Sequence, residues 1–430
     1  MSEILEEIEL QRGSTFRNDG RIKPIKIQRR TTRISLGVLA AVGFTVILLS
    51  LTNLSFAQGN RHFGQKPYQQ VSQFSGSLGE KEEKKTGAKK ILGEIKPARG
   101  DSNFIGTLQP TLTAAGGDWS IPRLSGTFGH AFSFSMKIGN GVVWQQANID
   151  WWLLWDMITY IGYDFKEFQI AHQERQPAPS PEELQSIKNQ TWEEVTASID
   201  RGIPAIAWQP MTVKQRDSGV NAYGWGLLVG YDETEKTYTV RHQNYMTEYT
   251  VPYDQFGFAD SANWYCVMIL AGKKPLDRMA LEVRSLKHAV AFAYGTRFDL
   301  DDAPYPVDAL GFAAYELWKQ AVETGKMEVG FTEHAAWILW EMRENAAAYL
   351  REITDRFPKV SRRALFEAAV FYDEEIKAIM KLVNVCKEHK SFTARKRQEA
   401  AAIINAALDA EKKAIRKIEE SLAALPVESK

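Results

Sequence analysis

One stretch limits the possible folds of this chain more than any other: Tyr223-Gly-Trp-Gly-Leu-Leu-Val-Gly-Tyr-Asp232, followed after a short charged turn by Tyr238-Thr-Val-Arg-His-Gln-Asn244. An apolar run that ends at a glycine, a reversal through Glu-Thr-Glu-Lys, and a second run that opens with alternating residue types predict a hairpin built on a buried strand. Upstream, Asp200-Arg-Gly-Ile-Pro204 stops a helix with Trp192, Val195 and Ile199 on one face and starts the buried strand Ala205-Ile-Ala-Trp208. Downstream, Glu248 to Val251 and Trp264-Tyr-Cys-Val-Met-Ile-Leu270 read as further strands.

Before the strands come helical pieces. Phe104 to Ala115 is a short helix stopped by Gly116-Gly117, and Trp151 to Gly162 is an aromatic helix ending at glycine. Between them, Leu124 to Met136 mixes small residues that let backbones approach with phenylalanines that face a core. Helices first and mostly antiparallel strands later make residues 103–275 an α+β domain.

Residues 276–430 read as an α-helical domain. Leu310, Ala313, Ala314, Leu317 and Ala321 form one apolar stripe, Ala335 to Ile353 a second and Leu365 to Cys386 a third, all at helical spacing. Trp318, Trp337 and Trp340 are placed in the core of these helices. The last helix, Thr393 to Leu425, carries Ile404, Leu408, Ile415, Ile418 and Leu422 amid dense charge. That pattern suits a surface helix laid on the bundle or a coiled-coil seam joining copies of the chain.

The N-terminus has a different character. No residue between Arg33 and Arg61 is charged, and Ile34 to Phe56 is long and apolar enough to cross a hydrocarbon core of about 30 Å. Arg21, Lys23, Lys26, Arg29, Arg30 and Arg33 crowd its upstream side, so the positive-inside rule keeps residues 1–33 in the cytoplasm and sends the rest across. Segment 34–57 is therefore a single-pass signal anchor, or an export signal cleaved after Ala57, where Ser55-Phe56-Ala57 has the small-x-small form required. Residues 58–102, with Gly79-Glu-Lys-Glu-Glu-Lys-Lys-Thr-Gly87 among them, are too poor in large apolar side chains to offset chain entropy and read as a solvated linker.

Composition excludes some function classes. Lys plus Arg and Asp plus Glu balance at 53 each, so no global field recruits nucleic acid. The seven histidines are scattered, Asp299-Leu-Asp-Asp302 is too short for a calcium loop, and Gly126-Thr-Phe-Gly129 lacks the lysine of a phosphate-binding loop. No metal or cofactor is expected. Cys266 on a strand-like run and Cys386 on an apolar stripe are read as buried, unpaired packing residues, since neither opens a helix beside glycines.

Four spaced motifs carry a family resemblance: Leu124-Ser-Gly-x-x-x-His-Ala-Phe, the aromatic helix ending in Ile161-Gly-Tyr-Asp164, Asp200-Arg-Gly-Ile-Pro-Ala-Ile-Ala-Trp208, and Trp225-Gly-Leu-Leu-Val-Gly-Tyr-Asp232. In this order the chain resembles the butirosin biosynthesis protein H N-terminal-like group, itself similar to the bacterial C39-type branch of papain-like cysteine peptidases. The resemblance spans about residues 104–275 and implies a papain-like fold followed by a helical region. The group's namesake implies acyl transfer from a carrier protein to an aminoglycoside, a cytoplasmic reaction that an exported domain would not meet. The C39-like pattern also implies a Cys at the start of the first helix and a His at the head of the buried strand. Here the first helix, through Gly106-Thr-Leu-Gln-Pro-Thr, holds no Cys, and Gly224-Trp225 stands where the His belongs.

A thiolate mechanism needs a nucleophile, a base in reach and an orienter. Two are absent from their places, so the resemblance implies a catalytically degenerate domain, or pseudoenzyme, that binds a peptide or small molecule in the former cleft. Trp225, Gln209 and His242 are the expected ligand-binding residues. The enzyme alternative is an acyltransferase or amide hydrolase with Ser125 or Thr107 as hydroxyl nucleophile, His130 or His242 as base and Asn244 as orienter. A third alternative is a structural envelope protein assembling through its last helix.

Overall fold

The computed structural model describes residues 87–100, 102–139, 142–145, 151–171, 180–257, 264–296 and 307–426. The expected basic leader, the apolar segment 34–57, linker residues 58–86 and the acidic Asp299–Asp302 loop lie outside the described residues. Among the described residues no helix is long and apolar enough to cross a membrane.

Ten strands are described: β1 (Lys89–Ile91), β2 (Ser135–Gly139), β3 (Val142–Gln145), β4 (Tyr163–Ala171), β5 (Ala205–Trp208), β6 (Trp225–Asp232), β7 (Thr237–His242), β8 (Tyr245–Pro252), β9 (Trp264–Lys273) and β10 (Ala309–Leu310). The larger sheet runs β4-β9-β5-β6-β7-β8 and the smaller β10-β2-β3, with antiparallel neighbours throughout. The predicted hairpin is β6–β7. Its first strand is buried along nearly its whole length because it has partners on both sides. β5 pairs with its first half, Trp208 opposite Trp225, and β1 with its second, Ile91 opposite Gly230.

The β1 pairing shows that the expected linker ends before residue 102. Residues 87–100 lie on the fold, held by backbone bonds more than by apolar area, which is why composition does not reveal them. Leu92 N–H donates to Val229 O (2.7 Å) and Ala98 N–H to Gly106 O (2.8 Å). The second bond has a cause in the first helix, α1 (Asn103–Ala114). Pro110 inside this helix has no N–H to give to Gly106 O, and Ala98 supplies the missing donor. Ser102 caps α1 by accepting from Ile105 N–H.

The next helices are α2 (Ile121–Thr127), α3 (Trp151–Ile158), α4 (Pro181–Asp200) and the short α5 (Val213–Asp217). The helix expected to carry Trp192, Val195 and Ile199 begins at Pro181, where Ser180 and Glu183 form a reciprocal capping box with bonds of 3.1 and 2.8 Å. Five longer helices follow: α6 (Arg278–Ala293), α7 (Phe312–Thr324), α8 (Val329–Ile353), α9 (Lys359–Lys387) and α10 (Ala394–Ala423). Four of the last five match predicted stripes or the capped final helix; α6, opened by the Asp277 cap, was not anticipated.

One hydrophobic cluster joins the large sheet to α1 and α4, and two others lie among α6–α10. The boundary expected at residue 275 does not separate them. Ala131 and Phe132 of a 3₁₀ turn (His130–Phe132), Phe134 just before β2, Met136 of β2 and Val143 of β3 are buried among the C-terminal helices. The architecture is thus α+β with a helical C-terminal part that shares its core with residues 131–143. On α10, Ile404, Leu408, Ile415 and Ile418 are 0–1% exposed, so the apolar seam is covered within the chain. α10 is a helix laid on α9 and α7.

Candidate functional site

The start of α1 meets the head of β6, and this meeting organises the polar residues of the sheet end. Asn103, the first residue of α1, donates from Nδ2 to Tyr223 O (3.2 Å). Asn244, on the turn after β7, donates from Nδ2 to the same carbonyl (3.3 Å). Gly224 sits between them with φ +83°, a conformation that favours glycine, and a Cβ there would overlap the Asn103 amide. A side chain at the head of the strand would have to displace the Asn103 amide and bear the cost of the positive φ.

Behind this contact lies Gln209, 1% exposed and in the left-handed region with φ 42°. It is held there from both sides: its N–H donates to Gly224 O (2.7 Å), and its carbonyl accepts from Met211 N–H (2.6 Å) across Pro210. A non-glycine residue in this region costs about 1 kcal/mol or more and persists only where its surroundings fix it. Trp225 is fully buried beneath. Phe104, Trp208 and Trp264 pack around it with ring centroids 5.3, 5.3 and 5.6 Å away. The expected ligand-binding tryptophan is therefore a core residue, and aromatic rings fill the space under the sheet end.

His242 closes the cluster at the end of β7. Its Nδ1 accepts from Asn244 N–H (3.1 Å), so the neutral ring carries its proton on Nε2, facing the backbone of Tyr223 and Gly224. Asn244 does orient His242, as the sequence suggested, but through its backbone N–H. With its lone pair engaged, the imidazole is not placed to accept a proton from a substrate. Burial pushes its pKa down to about 4, against the raising effect of the Gly224 and Tyr223 carbonyls.

The remaining candidates lie elsewhere. Thr107 Oγ1 donates back to Phe104 O within α1 (2.9 Å) and is fully buried. Ser125 is 2% exposed on α2, the helix packed on α8. His130, on the 3₁₀ turn after Gly129, is pushed to about pKa 4 by burial, opposed by the Glu341 carboxylate of α8. Glu341 in turn lies against Gly100, whose carbonyl accepts from Gln243 Nε2 (3.0 Å). The segment leading into α1 thus has the His242 turn on one side and the His130–Glu341 pair on the other. The structure gathers Gln209, Trp225, His242 and Asn244 at one sheet end; Ser125 and His130 belong to the α2–α8 region.

Neither thiol offers a nucleophile. Cys266 and Cys386 are free and buried, and burial raises the Cys266 thiol well above its ordinary value and the Cys386 thiol to about 12. Among the described residues no group of three or more His, Cys, Asp and Glu stands together as metal ligands. Two depressions of about 380 and 400 Å³ lie between α7 and α10 and between α6 and the end of α3, away from the head of β6.

Sequence reasoning missed Asn103 and the carbonyl of Tyr223. The available signal was Ser102, a helix-capping residue that sets Asn103 at the first helical position.

His130 and His242, and His288 with them, give the folded state a defined acid response. Each is neutral when folded, with a value near 4, and titrates near 6.5 when unfolded, so the unfolded chain binds more protons between those values and stability is lost as pH falls through that window. At about 1.4 kcal/mol per pKa unit, wild type is expected to lose roughly 2 kcal/mol relative to His242→Gln between pH 6.5 and 5. Urea midpoints of both chains at the two pH values measure it. Equal pH slopes would mean that His242 is not buried neutral.

No family model matches the chain, and no curated protein aligns with it significantly.

Proposed function

We propose that this chain is a membrane-tethered, extracytoplasmic binding module with a papain-like domain that has lost catalysis. The observation that carries the reading is the contact between Asn103 and Gly224. In the resembling peptidases the first helix begins with the nucleophile and the buried strand is headed by the base. Here an amide stands at the helix start and a glycine at the strand head, and the Asn103 amide occupies the space that a strand-head side chain would need.

What remains at the surface is a pair of amide side chains, with exposed Arg99 beside them. Asn244 is exposed, Gln243 is half-buried, and both bond backbone carbonyls through their side chains. Amide donors and acceptors without formal charge match an extended peptide or an amide-bearing small molecule better than an ion. The expected tether, Ile34 to Phe56, would hold this ledge outside the cytoplasm, within reach of envelope or extracellular peptides.

The reading is tested on the full-length chain in mild detergent with a pool of random hexapeptides, by thermal shift and by recovery of retained peptides. Retention by wild type that falls at least tenfold in Asn244→Arg supports it. Equal retention by both chains, or none by either, overturns the placement of a peptide site at this ledge.

A further inference from the structure

We propose that Glu375 and Glu411 share a single proton inside the helical bundle, making the Arg343 cluster a latch that is set at neutral pH and loosened by alkali. The cluster draws one group from each of the four C-terminal helices, with two from α9: Tyr315 on α7, Arg343 on α8, Tyr372 and Glu375 on α9 and Glu411 on α10. All are 0–2% exposed. Arg343 Nε lies 3.2 Å from Glu375 Oε1 and 2.9 Å from Glu411 Oε2. Its Nη2 donates to Tyr315 OH (2.9 Å), and Tyr315 OH donates to Glu375 Oε1 (2.5 Å). The Tyr372 ring stacks 5.5 Å from the guanidinium.

Charge decides the protonation state. One guanidinium against two carboxylates would leave a net negative charge in the bundle, at a desolvation cost of several kcal/mol. One bound proton restores neutrality. Two buried oxygens without a donor point to where it goes: Glu375 Oε1 is engaged by Arg343 and Tyr315, whereas Glu375 Oε2 and Glu411 Oε2 meet no hydrogen-bond donor among the described residues, and both acids converge on the same Arg343 Nε. A proton on Glu375 Oε2, donated to Glu411, satisfies both acids. Burial and the second carboxylate both favour the protonated form, with Arg343 opposing.

The latch reaches beyond the bundle through Arg343 Nη1, which donates to Ala131 O (2.8 Å) in the 3₁₀ turn after α2. Removing the proton puts two negative charges beside one positive, and the turn loses its fixed anchor as the helices separate. The sign is opposite to that of the histidines. The folded state holds a proton that the unfolded chain, with ordinary glutamates near 4.5, has already released, so stability falls as pH rises toward the pair's folded value. Between pH 7 and 9 His130 and His242 are neutral in both states, and the pair's contribution stands apart from theirs.

Two measurements on the full-length chain in mild detergent test this. Infrared difference spectra at pH 7 are expected to show the carbonyl stretch of a buried protonated carboxyl in wild type, absent from Glu375→Gln. Chemical denaturation is expected to show the wild-type folding constant falling by up to about tenfold per pH unit relative to Glu375→Gln between pH 7 and 9. The glutamine supplies the N–H that the shared proton would have provided, so this variant is expected to fold. If wild type shows no protonated carboxyl at pH 7, the proposal fails whether or not the variant folds. It also fails if the two chains share one pH slope.

Discussion

Replacing Gly126 by alanine is expected to cost the folded protein about 3 kcal/mol, the upper part of the usual range for overpacking a buried contact. Gly126 lies on α2 where that helix crosses α8, and a Cβ there would fall inside the Tyr349 ring. The ring cannot swing aside cheaply. It is fully buried, its hydroxyl donates to Ser285 Oγ (3.0 Å), and Ser285 Oγ donates to Gly126 O (2.8 Å). Nearby, the almost fully buried Arg123 and Glu282 (3.3 Å) join the same helices α2 and α6. One added methyl group therefore strains three elements at once. Gly330→Ala, on the same helix α8 with nothing within 4 Å of the added carbon, is the control and is expected to be neutral or slightly stabilising. Urea denaturation of the three chains measures the difference.

The second large effect is Arg343→Met, expected to destabilise by about 4 kcal/mol because it strips the guanidinium that two buried acids share. Methionine fills much of the volume, so the loss is electrostatic more than a cavity effect. If that attribution holds, adding Glu375→Gln and Glu411→Gln to Arg343→Met recovers part of the stability, since the amides carry no charge to leave unpaired. A triple variant no more stable than Arg343→Met alone would assign the loss to packing. Denaturation at pH 7 distinguishes the two.

Much of this architecture is visible in the sequence where side-chain pattern dictates it. The strand Ala205–Trp208, the β6–β7 hairpin and the long helices α8 and α9 are apolar at the period of their own structure, and they lie where that pattern puts them. The elements that escape are those held by backbone geometry or by charged faces. β1 contributes Lys89, Lys90 and Ile91, a composition that reads as linker, yet it pairs with β6 because β5 ends halfway along that strand. β4 is an edge strand with Asp164, Lys166, Glu167 and Gln169 interrupting its apolar residues, and its place is set by pairing with β9. α6 mixes charged and apolar positions and is announced only by its Asp277 cap.

The candidate site was partly legible for a related reason. Residue type marked His242, Asn244 and Gln209, and they do gather at one end of the sheet. Their roles follow from backbone atoms that a sequence does not display: the Asn244 N–H on His242 Nδ1, the Tyr223 carbonyl shared by two asparagines, and the Gly224 carbonyl that fixes Gln209. Trp225 shows the opposite limit. A tryptophan at a strand head reads as a ligand surface or as core, and four neighbouring rings, Phe104, Trp155, Trp208 and Trp264, settle it as core.

The central claim is that this domain binds without catalysing, and covalent labelling of the native full-length chain tests it most directly. A fluorophosphonate probe for activated hydroxyls and an iodoacetamide probe for thiolates are applied in mild detergent, and adducts are located by peptide mass mapping. The account predicts no native adduct on Ser125, Thr107, Cys266 or Cys386, with both cysteines reacting only after unfolding. A native fluorophosphonate adduct on Ser125 or Thr107 that disappears in His242→Ala or His130→Ala would contradict it, and would establish a hydroxyl nucleophile served by an imidazole.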